Sequence, residues 1–90
     1  MRVYKNGYNN ANVSWIMKAD DIAGLTPAQI KSKYALDYIP DKICDVNIPS
    51  GTNIYIGVAA PNYNEPGMGV QYDLDWNTQD SWFTSIRNLK

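Results

Sequence analysis

The sequence predicts a small α+β domain: a mostly antiparallel sheet of about six strands, arranged as two packed half-sheets, with one main helix near residues 26–35. Two observations lead to this fold class. Short runs of β-branched and aromatic residues recur between turn-forming residues, and a single segment carries the signals that start a helix. The length of 90 residues indicates one domain, residues 1–90, which either stands alone or is a piece of a larger protein.

The helix is predicted from its N-terminal residues. Thr26 is an N-cap residue, Pro27 occupies the first helical position, and Gln29 completes a capping box. We expect the helix to end near Ala35, before Pro40.

The strands are predicted from alternation and from the turns that separate them. In the fifth strand, Val70, Tyr72 and Leu74 point to one face, whereas Gln71 and Asp73 point to the other. The predicted strands cover residues 2–5, 13–17, 44–48, 53–58, 70–74 and 81–86.

Composition narrows the chemistry that the chain can perform. It has no His and a single Cys, which removes the commonest general base, every Cys-His pair and a multi-cysteine zinc site. No metal is therefore expected, and Cys44 is interpreted as a core residue in an alternating strand. The formal net charge is −1 and no basic stripe is visible, which argues against a general nucleic-acid binder. No apolar run approaches the ~20 residues of a membrane-spanning helix, so no membrane segment is expected.

The segment from Pro66 to Gly69, P-G-M-G, leads directly into the fifth strand. Glycines at such a turn allow a ligand to approach the backbone closely, and the strand then presents the amide of Gln71 beside the carboxylate of Asp73. An amide or carboxylate here can hold a ribose hydroxyl or stabilise a developing cation. On spacing alone, a solvent-facing polar row on an edge strand is the commoner interpretation.

Residues near the N-terminus are further candidates for ligand contacts. The guanidinium of Arg2 can clamp a phosphate, although a terminal Arg by itself is most often a solvated surface charge. Ser14 can hydrogen-bond a sugar and the indole of Trp15 can stack on a ring. The alternative is a half-buried strand with Trp15 in the core and Ser14 outside. Glu65, the only glutamate, is interpreted as a solvated loop charge.

Residues 57–72, G-V-A-A-P-N-Y-N-E-P-G-M-G-V-Q-Y, resemble the closing motif of the tuberculosis-necrotizing-toxin-like domains. Residues 2–16 resemble the first-strand pattern of related NAD-handling toxin domains, and the middle of the chain resembles C-terminal domains of polymorphic toxins. The chain departs from the family at Met68, where the motif has Gly, and in its lack of a His.

This resemblance implies an ADP-ribosyltransferase-like fold and cleavage of the nicotinamide–ribose bond of NAD by hydrolysis or transfer. It implies that Gln71 is catalytic, that Arg2 contacts NAD and that Ser14 lies on the nicotinamide side. We further expect Asp73 to help Gln71, and Trp15 or Tyr63 to pack near the nicotinamide. The resemblance also implies a cognate immunity protein, in some cases a macromolecular acceptor, and delivery by secretion or translocation within a larger effector that acts in the target-cell cytoplasm.

Two other functions remain open from the sequence. A metal-independent tRNA or RNA nuclease toxin would use cations and hydroxyls, and a non-enzymatic module would bind a protein partner through an aromatic face. The nuclease candidates are Lys31, Lys33, Tyr72, Thr84 and Arg87, and the aromatic candidates are Tyr55, Tyr63, Trp76, Trp82 and Phe83.

Overall fold

The computed structural model describes residues 1–10, 15–74 and 78–89, which form an α+β fold with two three-stranded antiparallel sheets. The strands are Arg2–Tyr4 (β1), Trp15–Ile16 (β2), Lys42–Val46 (β3), Tyr55–Val58 (β4), Val70–Asp73 (β5) and Phe83–Asn88 (β6). One sheet has the order β1-β3-β6 and the other has the order β2-β5-β4. The helices are Ala19–Ile22 (α1) and Pro27–Lys33 (α2), and a 3-10 turn, Asp80–Trp82, precedes β6.

The predicted division into six strands and two half-sheets is confirmed, with differences at the ends of elements. β3 begins two residues earlier than predicted and β6 ends two residues later. These ends are set by pairing, because Lys42 lies opposite Tyr4 on one side and Asn88 on the other. α1 was not predicted. Ser14 and Trp76 lie outside the described residues.

The predicted capping box is present at the start of α2. The backbone N–H of Gln29 donates to Thr26 Oγ1 at 3.2 Å, and the backbone N–H of Thr26 donates to Gln29 Oε1 at 2.8 Å. The helix ends where predicted, because Tyr34 is its C-cap and Ala35 adopts a positive φ of 50°.

The core lies where α1 and α2 cover the sheet that contains β1. Its larger cluster contains Val3, Met17, Ile22, Ile30, Tyr34 and Ile43. A smaller cluster joins Tyr4, Cys44 and Phe83, so the prediction that Cys44 is a core residue is confirmed. No helix among the described residues is long and apolar enough to span a membrane.

The loop between β4 and β5 docks on the C-terminal end of α2 through its backbone. The N–H of Gly67 donates to the carbonyl of Ser32 at 3.0 Å, and the N–H of Gly69 donates to the carbonyl of Lys33 at 2.9 Å. These carbonyls belong to the last turn, where a helix leaves them without partners of its own. The loop therefore completes the end of the helix.

A half-buried ion pair reinforces this docking. Lys31 Nζ lies 2.9 Å from Glu65 Oε2, so the interpretation of Glu65 as a solvated loop charge is wrong. A Cβ on Gly69 would lie 2.7 Å from the ring of Tyr34 and 2.9 Å from the carbonyl oxygen of Lys33. Glycine is therefore required because two segments of the chain meet at this turn, and not because a ligand approaches the backbone.

β4 lies at the edge of its sheet and is exposed along its whole length. Ile56 at its centre is 71% exposed. The sequence has no charged residue from Val46 to Asn64, so the strand and the loops around it are neutral.

We expect Gly69→Ala to lower the free energy of unfolding by about 1–3 kcal/mol, because the added methyl overlaps the end of α2. Gly57→Ala is the matched control: a Cβ at Gly57 meets nothing within 4 Å, so we expect a change of less than about 0.5 kcal/mol. Urea unfolding of both variants measures the difference, and equal losses would contradict the docking of Gly69 on α2.

We expect the buried phenol of Tyr34 to make the fold less stable at alkaline pH. Burial raises the pKa of Tyr34 from 10.0 to about 12, and its hydroxyl is buried without a hydrogen-bond partner among the described residues. Because ionisation of the buried phenol is unfavourable, the stability of the fold is unaffected by this group below pH 10 and falls as the pH rises from 10 to 12. In urea unfolding, we expect Tyr34→Phe to be at least as stable as wild type at pH 7 and to lose less stability between pH 10 and 12. An unchanged pH profile would show that Tyr34 does not titrate in this way.

Candidate functional site

A cleft of about 260 Å³ lies where β1 of one sheet meets β2 and β5 of the other. Residues from five separate segments of the chain line it. Three of the lining residues are predicted from the sequence to contact NAD or to be catalytic. The polar and aromatic lining residues are Arg2, Asn9, Trp15, Tyr38 and Gln71. No Asp or Glu is among the described residues that line the cleft.

Gln71 reaches the cleft from the middle of β5. Its neighbour Tyr72 lines a different groove on the opposite face, so the predicted alternation of this strand is confirmed. On β4, the residue opposite Gln71 is Gly57, which has no side chain and open space around its Cβ position. The side-chain amide of Gln71 is therefore not covered from that strand.

Asp73 and Trp15 lie directly opposite each other in the pairing of β2 with β5. Trp15 is 43% exposed and lines the cleft, so its interpretation as a core residue is wrong. Directly paired residues share a face, so Asp73 lies on the same face of the sheet as Trp15. Asp73 is half-buried and is not among the described residues that line the cleft.

Arg2 is the buried cation of the cleft. It is only 6% exposed, so its interpretation as a solvated surface charge is wrong. One guanidinium nitrogen donates to the carbonyl of Asn10 at 3.2 Å, whereas Nε is buried without a hydrogen-bond partner among the described residues. Burial lowers the pKa of Arg2, and the nearby Tyr38 hydroxyl partly offsets this effect. The Nε–H donor of the guanidinium is therefore not used by any protein group among the described residues.

Of the other two predicted contacts, one lies outside the described residues and the other is not among the described residues that line the cleft. Ser14 is outside the described residues, so the structure gives no position for it. Tyr63 is exposed on a turn closed by the bridge between Asn62 and Glu65, and it is not among the described lining residues. It lies close enough to Tyr8 to contribute to the raised pKa of that phenol, which is caused mainly by a hydrogen bond to Asp37.

Asn9, Leu36 and Tyr38 were not singled out from the sequence. Asn9 belongs to a polar turn-rich loop, and the other two residues follow Ala35, whose positive φ redirects the chain after α2. No periodicity or motif connects these positions with β1. Their only sequence signal is that an aromatic residue, Tyr38, follows the predicted end of the helix.

A second groove, of about 270 Å³, lies on the other face of the sheet that contains β5. Its walls are apolar, with Lys18 at its edge and the Lys18 ammonium 5.8 Å from the centre of the Tyr72 ring. Apart from Tyr72, a nuclease candidate, none of the residues predicted to be functional lines it.

The three cations of the nuclease alternative are each engaged by a partner on the protein. Lys31 pairs with Glu65, Lys33 Nζ donates to the carbonyl of Asp21 at 2.6 Å, and Arg87 pairs with Asp45. Within the described ranges, no three Cys, Asp or Glu side chains are grouped closely enough to hold a metal ion.

We expect Arg2→Met to be at least as stable as wild type, with a gain of up to about 2 kcal/mol, because a buried cation without a carboxylate partner, as Arg2 is among the described residues, costs stability. Arg87→Met, which removes an exposed cation, is the control with a change of less than about 0.5 kcal/mol. Urea unfolding at pH 7 compares the two. A loss above about 1 kcal/mol for Arg2→Met would mark Arg2 as a structural residue.

Protein-family models, curated proteins and solved structures were each compared with the chain, and none matches it. The assignment of a function therefore depends on the chemistry of the cleft.

Proposed function

We propose that the chain is an NAD-consuming toxin domain with an ADP-ribosyltransferase-like fold, which breaks the bond between nicotinamide and ribose. One observation supports this proposal above the others. Arg2, Trp15 and Gln71 belong to segments far apart in sequence, and they line one cleft between the two sheets. The resemblance to NAD-handling toxin domains assigns roles to Arg2 and Gln71, and Trp15 is one of the two aromatic residues expected to pack near the nicotinamide.

In this proposal, Arg2 holds a phosphate of NAD. A planar guanidinium binds phosphate oxygens through parallel N–H donors, and it does so most strongly where water is excluded. Arg2 is buried, no acidic residue is among the described lining residues, and Nε has no partner among the described residues. A bound anion would therefore supply the charge that the cleft lacks.

Trp15 packs against the nicotinamide ring. A half-exposed indole beside a cleft offers a flat apolar face to a flat ring, and a positively charged pyridinium is attracted to such a face. The cleft, at about 260 Å³, is smaller than most sites that enclose a whole drug-sized ligand. It suits one nucleoside, so the nicotinamide riboside half lies inside and the rest of NAD extends beyond it.

Gln71 acts on the ribose as the glycosidic bond loosens. Its amide oxygen accepts a hydrogen bond from a ribose hydroxyl, and the oriented dipole stabilises the oxocarbenium-like cation. Asp73, on the same face of the strand, adds negative charge beside it. Neither role requires a group that takes up a proton, so the absence of His is compatible with the reaction.

The reaction balances without an added acid. The bond between ribose C1′ and the pyridinium nitrogen breaks, and its electron pair neutralises the ring, which leaves as nicotinamide. Water then adds to C1′ and releases a proton to solvent, which gives ADP-ribose. If a macromolecular acceptor takes the place of water, the product is an ADP-ribosylated macromolecule.

The toxin assignment includes the partners and the route that the resemblance implies. A cognate immunity protein would cover the cleft in the producing cell. The domain would travel within a larger effector that is secreted or translocated, and it would act in the cytoplasm of the target cell. Co-expression with a neighbouring gene that restores growth would identify the immunity protein.

The test is release of nicotinamide from NAD, followed by chromatography. We expect turnover by wild type and a loss of about 100-fold or more in kcat/KM for Gln71→Ala, because a preorganised group at the developing charge is removed. Gln71→Glu is expected to retain more activity than Gln71→Ala, since it keeps an acceptor oxygen at the same position.

Gln79→Ala is the matched control, because it removes an exposed amide that is not among the residues lining the cleft. Absence of nicotinamide release by wild type, with enzyme and NAD at equal concentration, would contradict the proposal. Digestion of total tRNA in a parallel incubation would instead favour the nuclease alternative.

A further inference from the structure

Two tyrosines and one carboxylate form a rim beside the cleft, which we call the tyrosine rim: Tyr8, Asp37 and Tyr38. The rings of Tyr8 and Tyr38 are 5.5 Å apart at an angle of 49°. The hydroxyl of Tyr8 donates to Asp37 Oδ2 at 2.5 Å, which holds the ring in place. Tyr8 is nevertheless 57% exposed, so its ring is fixed but still accessible.

The rim is continuous with the cleft. Tyr38 is half-buried, lines the cleft, and lies close enough to Arg2 to influence its guanidinium. Asn9, the residue after Tyr8, also lines the cleft. A ligand whose phosphate is held by Arg2 therefore has Gln71 and Trp15 within the same cleft, and it reaches Tyr8 by passing Tyr38.

We propose that the tyrosine rim binds the second nucleoside of a dinucleotide, so that the substrate class is a dinucleotide with a purine base, and not a mononucleotide. This inference rests on the proposed function, which places the nicotinamide riboside half inside the cleft. The adenine ring stacks on Tyr8 beside Tyr38, and the carboxylate of Asp37 accepts a hydrogen bond from the adenosine ribose.

Physical reasons favour a base on this surface. Exposed aromatic rings gain about 1–3 kcal/mol for each stacked base. The hydrogen bond from Tyr8 to Asp37 immobilises the ring before the ligand binds, so less entropy is lost on binding. A carboxylate is a strong acceptor for the adjacent hydroxyls of a ribose.

The experiment measures equilibrium binding by calorimetry, with AMP, ADP-ribose and nicotinamide mononucleotide as probes, and it does not require turnover. We expect Tyr8→Ala to weaken the binding of AMP and of ADP-ribose by about 5- to 100-fold, as the loss of one stacked base implies. Nicotinamide mononucleotide, which lacks the second nucleoside, should bind with unchanged affinity.

Tyr8→Phe keeps the ring and loses only the hydrogen bond to Asp37. We therefore expect it to weaken the binding of ADP-ribose less than Tyr8→Ala does. Ile86→Ala, at a residue that is 55% exposed on β6, is the control for loss of a surface side chain and should leave all three affinities unchanged. Circular dichroism of each variant confirms that the fold is intact.

The possible results of these binding measurements test the tyrosine rim separately from the proposed reaction. Unchanged AMP and ADP-ribose affinities in Tyr8→Ala, or no AMP binding to wild type at millimolar concentration, would overturn the tyrosine rim while nicotinamide release could still occur. Binding that depends on Tyr8, without any nicotinamide release, would support the rim and contradict the proposed reaction.

Discussion

The arrangement of the candidate site depends on the backbone contact between the β4–β5 loop and the C-terminal end of α2. Gly67 and Gly69 donate to the carbonyls of Ser32 and Lys33 in the last turn of α2, and β5 begins at the next residue, Val70. The strand that carries Gln71 is therefore held at its start by a helix that packs on the other sheet. This contact joins the two half-sheets, and the cleft lies between them.

The burial of Arg2 is a cost to the stability of this fold. A domain of this size is stable by roughly 5–15 kcal/mol, and an ion moved out of water costs several kcal/mol unless it is paired. No acidic residue among the described residues that line the cleft supplies a partner. The cost of keeping this charged group in a water-poor site is carried by the first strand of the fold.

Local signals in the sequence predicted local structure. The capping box of α2 involves residues three positions apart, and the alternation of β5 follows from the geometry of a strand, so both were predictable. The burial of Arg2 and the position of Tyr38 depend on contacts between segments distant in the chain, which no pattern records. The glycines of the P-G-M-G turn were recognised as a close approach, but sequence alone did not reveal that the approaching group is another part of the chain.

We expect the neutral edge strand β4 to limit the concentration at which copies of the chain stay in solution without associating. Protein edges are normally protected by a lysine, a proline or a bulge, and Tyr55–Val58 has no charge or proline within it. With a formal net charge of only −1, the molecules repel one another weakly. At high concentration, we expect such an edge to favour pairing with strands of other copies, and a partner that covers these four residues would remove this tendency.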